Sequence, residues 1–301
     1  MAAQTPSSPI GQYAIVTGNY WAFTLTDGAI RMLVVLYFYS LGYSPLQVAL
    51  LFLFYEFFGV VTNLVGGWLG SNIGLNRTMN IGLTLQIVAL GMLTVDESGL
   101  SVAWVMLSQA LSGIAKDLNK MSAKSAIKVL IPQAQSSKLF HWVAILTGSK
   151  NSLKGLGYFM GAAMLAAFGF QSSIWAMLIA LILVLVLSVI KLQSGLGRSA
   201  SKPKFEQIFS RSATVNRLAA ARLFLFGARD IWFVVALPIF LSSTLLWSHT
   251  VTGTFFASWI IMYGMIQAAT PALLAKLKLK SDLETVLSQA SFVLLVVTTI
   301  L

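Results

Sequence analysis

Long apolar runs alternate with short polar breaks along the whole chain. Since a spanning helix needs roughly 20 mostly apolar residues, the runs predict an all-α membrane protein. Nine spans are predicted, at approximately 19–41, 46–69, 78–95, 101–122, 139–168, 172–191, 217–242, 251–274 and 284–301. The ninth run reaches the last residue without a polar flank. We interpret it as a truncated span, with a C-terminal part missing.

Composition agrees with a membrane protein and excludes several other classes. Hydrophobic residues make up 57% of the 301 residues and charged residues only 10%, unlike a soluble domain. The first eighteen residues lack a basic segment, so no cleaved signal peptide is expected. Cysteine is absent, and the two histidines, His141 and His249, lie near opposite membrane faces. We therefore expect no metal, no cofactor and no enzymatic activity.

Basic residues mark one side of the predicted membrane. Lysine and arginine concentrate in cytoplasmic loops, and here they follow the even-numbered spans, at Arg77, Lys124, Lys128, Lys138, 191–217, Lys276, Lys278 and Lys280. The loops after odd-numbered spans, at 42–45, 96–100, 169–173 and 243–250, contain neither residue type. The N-terminus is therefore predicted to be cytoplasmic. Because topology explains these charges, the net charge of +11 does not indicate nucleic-acid binding.

A basic linker at 191–216, containing SGLGRSASKPKF, follows the sixth span. It divides the chain into an N-terminal six-helix bundle, 1–190, and an incomplete C-terminal bundle, 217–301. DGAIRMLVVLYF in the first span resembles FGARDIWFVVAL in the seventh, and parallel six-helix repeats are typical of the major facilitator architecture. Two six-helix bundles are therefore expected. The loop after the second span also resembles that superfamily's G-x-L-x-D-R-x-G-R-R motif, through Gly67, Leu69, Gly74 and Arg77.

Seven basic residues fall inside predicted spans, and each would cost about 2.5 to 3.5 kcal/mol at a lipid-facing helix centre. They must therefore face a wet cavity or each other. Lys116 with Lys120 and Lys150 with Lys154 are i,i+4 pairs on one helix face, and an anion between them would relieve their repulsion. We predict that the substrate is an anion bound by Arg31, Lys116, Lys120, Lys150, Lys154 and Arg229. For Lys120 and Arg222, near helix ends, snorkelling to the interface is an equal alternative.

Four acidic residues also lie at membrane depth, and they are candidates for charge pairing or for carrying a coupling proton. They are Asp27, Glu56, Asp117 and Asp230. Asp27 stands four residues before Arg31, so the two are expected to pair. Glu56 has no basic residue within reach on its own helix, which makes it our first candidate for protonation.

Several segments together resemble one family, the organoarsenical efflux permeases of the ArsJ type within the major facilitator superfamily. They include NYWAFTLTDGAIRMLVVLYF, LSGIAKDLNKMSAKS, WVAILTGSKNSLKG and ARLFLFGARDIWFVVALP. The resemblance implies export of 1-arseno-3-phosphoglycerate across a bacterial inner membrane, giving arsenate resistance. It also implies a functional partner, the glyceraldehyde-3-phosphate dehydrogenase that makes this ester from arsenate.

The residues alone leave two alternatives open. A cationic cavity does not distinguish phosphorus from arsenic, so a permease for phosphoglycerate or glycerol phosphate fits equally well. In a non-transporting membrane scaffold, the charges would serve only as internal salt bridges.

Overall fold

The computed structural model describes residues 9–130, 136–192 and 212–276, and the regular elements in those ranges are all helical. The α-helices are α1 (Pro9–Ser40), α2 (Pro45–Leu51), α3 (Leu53–Ile73), α4 (Leu75–Met92), α5 (Val102–Leu130), α6 (Ser136–Lys191), α7 (Ala213–Asp230), α8 (Leu237–Ser243) and α9 (His249–Lys276). A 3-10 turn at Glu97–Gly99 precedes α5, and a π-helical stretch at Ile231–Ala236 joins α7 to α8.

These helices confirm that the first eight predicted spans are helical. The second span is α2 with α3, the fifth and sixth are the two halves of α6, and the seventh runs from α7 through α8. The ninth predicted span, 284–301, lies outside the described residues. In the described part of the chain, four helical stretches are long and apolar enough to cross a bilayer, judged by length and composition only. They are Gly11–Ser40, Pro45–Asn63, Trp142–Lys191 and His249–Ala269.

The chain reverses direction within α6 at a single glycine. Gly169 has φ 74° and ψ 178°, a conformation that is accessible to glycine but not to residues with a Cβ. Both ends of α6 consequently lie beside the start of α1. The Gln12 amide donates to the Lys191 carbonyl at 3.1 Å, and the rings of Tyr13 and Trp142 are 5.1 Å apart. The predicted loop at 169–173 is thus a one-residue turn.

The π-helical stretch in the seventh span has a local cause. Pro238 stands at the start of α8 and has no N–H group to continue the α-helical hydrogen-bond ladder to Val234. The backbone widens over the preceding residues, as helices do where this ladder is interrupted. The irregular segment begins directly after Asp230, one of the predicted site residues.

Contacts between turns show that the first spans cross the bundle in alternating directions. The Tyr37 and Phe170 rings stack at 4.1 Å, and the Gln171 amide donates to the Val95 carbonyl at 2.5 Å. The turns after α1, after α4 and at Gly169 therefore lie at one end of the bundle. The start of α1 and the end of α6 lie at the opposite end.

α1 and the second half of α6 differ in how deeply their side chains are buried. Most of α1 is buried, and Ile30, Leu33 and Val34 have no exposed surface. The second half of α6 instead presents Ile179, Leu183 and other large apolar side chains outward, each more than half exposed. This exposed apolar surface is the kind that faces lipid in a membrane-spanning helix.

Candidate functional site

Four helices bring charged side chains together in the middle of the bundle. The group, called the charge cluster below, consists of Asp27 and Arg31 on α1, Glu56 on α3, Lys116, Asp117 and Lys120 on α5, and Lys150 and Lys154 on α6. Eight of the ten predicted site residues are therefore brought together. The remaining two, Arg229 and Asp230, lie in α7, where their side chains fall outside the described part of the structure.

Glycines allow these helices to approach backbone to backbone. A Cβ at Gly28 would lie 3.2 Å from the Cα of Gly157, where α1 crosses α6. A Cβ at Gly113 would lie 2.9 Å from the Cα of Tyr55 and overlap its carbonyl oxygen, where α5 crosses α3. Glycine costs about 0.5 to 1 kcal/mol relative to alanine inside a helix. Here it permits a crossing that alanine would block.

Tyr55 lies at the centre of the charge cluster and is fully buried. Its hydroxyl donates to Asp27 Oδ1 at 2.5 Å. The Arg31 guanidinium lies 4.1 Å from the centre of its ring and the Lys116 ammonium 4.0 Å, both within cation–π range. Sequence reasoning had not selected Tyr55 as a site residue. The only local signal was its position beside Glu56 in an otherwise apolar run.

Glu56 joins two cations and is partly exposed. Its carboxylate is 2.6 Å from Arg31 and 3.5 Å from Lys116. The exposed fractions of the three side chains differ: 39% of the Glu56 side chain is accessible, against 2% for Arg31 and 20% for Lys116. Arg31 is therefore shielded, and Glu56 is the most accessible of the three side chains.

Asp27 is held differently. It is 5% exposed, accepts the Tyr55 hydrogen bond and lies 3.7 Å from Lys154. The sequence suggested pairing within α1, between Asp27 and Arg31. Both residues instead make salt bridges to other helices, Asp27 to Lys154 on α6 and Arg31 to Glu56 on α3.

Asp117 supplies the negative charge between the lysines of α5. It is 2.6 Å from Lys120 and 3.9 Å from Lys116, and it accepts a 2.9 Å hydrogen bond from Asn63. Lys116 and Lys120 do share a face, as the spacing indicated. The anion expected between them is a carboxylate of the protein itself.

Lys150 has no such counter-ion. Within the ranges that the structure covers, it makes no hydrogen bond and no ion pair. Three lysines, Lys154, Lys120 and Lys124, act on it electrostatically, and Asp27 is the carboxylate that acts on it from beyond ion-pair distance. Counted as formal charges, the charge cluster thus holds five basic side chains against three carboxylates, an excess of two positive charges. This is an arrangement able to bind an anion.

Two remaining features, metal binding and the loop motif after the second span, do not involve the charge cluster. Among the described residues, no group of three or more histidine, aspartate or glutamate side chains could hold a metal ion. In the loop motif, Gly74 adopts φ 95° between α3 and α4, which explains the glycine there. Ser71 and Asn72, which replace the charged residues of the motif, both donate to the Trp68 carbonyl within their own helix.

A helical bundle that encloses ionised groups among apolar spans belongs to the polytopic membrane proteins. The sequence profile of the Major Facilitator Superfamily matches residues 16–301. The chain belongs to this superfamily. No curated protein matches it.

Solved structures share the fold at low identity. One, on the selectivity mechanism of a bacterial homologue of the human drug peptide transporters PepT1 and PepT2, has a TM-score of 0.55 and 17% identity, covering 79% of this chain and 53% of that one. A second, on substrate recognition in proton dependent oligopeptide transporters, has a TM-score of 0.54 and 17% identity, covering 83% and 54%. This chain thus spans about half the length of the structures it matches.

Proposed function

We propose that this protein is a secondary transporter that exports an organic arsenic or phosphate anion, 1-arseno-3-phosphoglycerate, and so confers arsenate resistance. Membership of the superfamily supports transport. The observation that carries the anion class is Lys150, a lysine at mid-bundle beside other cations and without a carboxylate of its own within the described chain. A cation in this position is costly, and an anionic substrate would offset that cost during each transport cycle.

The substrate has two anionic ends, one an ester of arsenate and the other of phosphate. In this proposal Lys150, Lys154 and Lys120 face the anion directly. Lys116 and Arg31 lie behind Glu56 and contribute once that carboxylate moves. Arg229 would contribute from the second half, beyond the described side chains. The identity of the ester rests only on the family resemblance of the sequence segments.

Three further parts of the proposal concern the setting of the protein. The N-terminus is cytoplasmic in a bacterial inner membrane, as the loop charges suggest. Residues 1–190 form one six-helix bundle, and 217–301 begin a second after the basic linker 191–216. A glyceraldehyde-3-phosphate dehydrogenase forms the substrate on the cytoplasmic side.

Transport into everted membrane vesicles tests the function. The ester is generated outside the vesicles from glyceraldehyde 3-phosphate, NAD⁺, arsenate and the dehydrogenase, and vesicle arsenic is measured. With the natural full-length protein, uptake should depend on all four components. Lys150→Met should lower the uptake rate at least about tenfold, which corresponds to about 1.4 kcal/mol. Lys191→Met is the matched control, since this exposed lysine closes the same helix.

Uptake by Lys150→Met equal to that of wild type would remove Lys150 from the site. Arsenic accumulation without the dehydrogenase would show that free arsenate, not the ester, is carried.

A phosphoglycerate or glycerol phosphate permease is the second candidate function, and the side chains of the charge cluster support it. The cluster presents lysine and arginine nitrogens, which bind phosphate and arsenate oxygens in the same way. Competition distinguishes the two functions. If 3-phosphoglycerate suppresses arsenic uptake at concentrations comparable to those of the ester and is itself transported, the protein is a general organophosphate permease.

A non-transporting scaffold is the third possibility. It predicts that each buried charge has an internal partner. Lys150 does not meet that expectation within the described part of the chain, and this observation favours transport over a purely structural role.

A further inference from the structure

Glu56 is the most exposed member of a group of three charged side chains that also contains Arg31 and Lys116. Its carboxylate contacts Arg31 at 2.6 Å and Lys116 at 3.5 Å. Arg31 is almost completely buried, whereas Glu56 is 39% exposed. An anion that binds Arg31 must therefore replace this carboxylate.

We propose that an anion entering the charge cluster displaces Glu56 from Arg31 and Lys116, and that the displaced carboxylate takes up one proton from the aqueous cavity. This inference rests on the proposed function, because it assumes that the cluster binds an anion. It adds a coupling between anion binding and protonation at one named residue.

The charges that face Glu56 favour the deprotonated carboxylate only while the site is empty. The cations among them are Arg31 from α1, Lys116 from α5 and Lys154 from α6. The cluster's other charges nearby are Asp27 and Asp117, each paired with a lysine, and Tyr55 lies beside Glu56 on α3. Once an anion takes over Arg31 and Lys116, Glu56 loses its partners and stands beside a second negative charge. Like charges at such a distance favour the neutral acid.

The balance of the step is simple. One carboxylate oxygen of Glu56 gains a proton from water in the cavity, and the anion keeps its own charge. The two salt bridges to Glu56 are exchanged for contacts between the anion and the same two cations. No other bond is formed or broken.

Asp27 does not offer the same exchange. It is 5% exposed, and both Tyr55 and Lys154 hold it. Asp117 is 2% exposed and is held by Lys120 and Asn63. Of the three carboxylates in the charge cluster, Glu56 alone combines exposure with partners that an anion can take over.

Isothermal titration calorimetry on the purified full-length protein measures the proton directly. Sulfate is the first probe, because this tetrahedral dianion does not titrate near neutral pH, and 3-phosphoglycerate is the second. Repeating the titration in two cationic buffers of different ionisation enthalpy gives the number of protons taken up per bound anion.

Wild type should take up about one proton per anion, and its Kd should fall by up to about tenfold for each pH unit of acidification between pH 8 and 6. Glu56→Gln should bind the anion with no proton uptake and no dependence on pH. Glu97→Gln should behave as wild type, since this exposed glutamate lies in the turn before α5.

The outcomes separate this inference from the function beneath it. Anion binding by wild type without proton uptake, or proton uptake that survives Glu56→Gln, overturns the inference and leaves the proposed function standing. Uptake that survives Glu56→Gln but is lost in Lys150→Met assigns the proton to Lys150 instead. No binding of either probe by wild type overturns both.

One double variant keeps the test valid if Glu56→Gln folds poorly with Arg31 buried. Arg31→Gln with Glu56→Gln removes the pair together, so that no uncompensated charge remains. The double variant should also show no proton uptake, with binding weaker than in wild type because Arg31 is absent. Proton uptake equal to that of wild type in this variant contradicts the inference.

Discussion

Asp27 and Glu56 are two carboxylates next to the same tyrosine, yet their surroundings differ. Asp27 is buried and is held by a hydroxyl and a lysine, while Glu56 is exposed and bridges a buried arginine and a second lysine. Whether an ion pair at membrane depth is fixed or exchangeable depends on its access to water as much as on its charges. The Asp27 side has the properties of a structural contact, and the Glu56 side those of an exchangeable one.

Substitution of Lys154, the partner of Asp27, and of Lys116, a partner of Glu56, should give the largest difference in stability between the two carboxylates. Lys154→Met leaves Asp27 buried without its lysine, and breaking such a pair typically costs about 3 to 5 kcal/mol. Lys116→Met leaves Glu56 exposed and still paired with Arg31, so we expect a cost of about 1 kcal/mol or less. Thermal unfolding of the purified variants in one detergent measures both. Equal loss of stability in the two variants would contradict the distinction between the sides.

The crossing that positions Tyr55 should be the next most sensitive point. Gly113→Ala places a Cβ against the Tyr55 backbone, and such overpacking typically costs about 1 to 3 kcal/mol. Gly66→Ala is the control, because its Cβ would meet only Met121 and Leu118, at 3.6 and 3.9 Å. We expect a lower melting temperature for Gly113→Ala alone. If both variants have the melting temperature of wild type, α3 and α5 are not in tight contact at Tyr55.

Removing the Tyr55 hydroxyl should have an effect of comparable size, but one confined to the contacts of Asp27. Tyr55→Phe keeps the ring under Arg31 and Lys116 but removes a hydrogen bond to a carboxylate, worth about 1.5 to 3 kcal/mol. Tyr263→Phe, on an exposed face of α9, should change nothing. The same thermal unfolding assay applies. An unchanged melting temperature for Tyr55→Phe would show that Asp27 does not depend on this hydroxyl.

Sequence reasoning predicted the helices well, because a spanning helix is defined by a local property, an apolar run of sufficient length. It also placed Lys116 with Lys120 on one face, since that spacing follows from helix geometry. The break of α6 was expected near Gly169, although not as a one-residue turn. The π-helical stretch before Pro238 was not predicted.

The partners of the charges could not be read from the sequence, because they depend on how helices cross. Asp27 was matched with Arg31 on its own helix, and the structure joins it to Lys154, more than a hundred residues away. Tyr55 was not selected as a site residue, and its central position arises from the crossing at Gly113. Glu56 was identified as exceptional for lacking a partner on its own helix, and its partners on α1 and α5 appear only in three dimensions.

The excess positive charge at Lys150 is the central claim, and binding of 3-phosphoglycerate to the full-length protein tests it most directly. Isothermal titration calorimetry on wild type, Lys150→Met and Lys191→Met gives three dissociation constants under one condition. The account predicts binding by wild type and Lys191→Met, with at least about tenfold weaker binding, about 1.4 kcal/mol, by Lys150→Met. Equal affinity in all three proteins would contradict it.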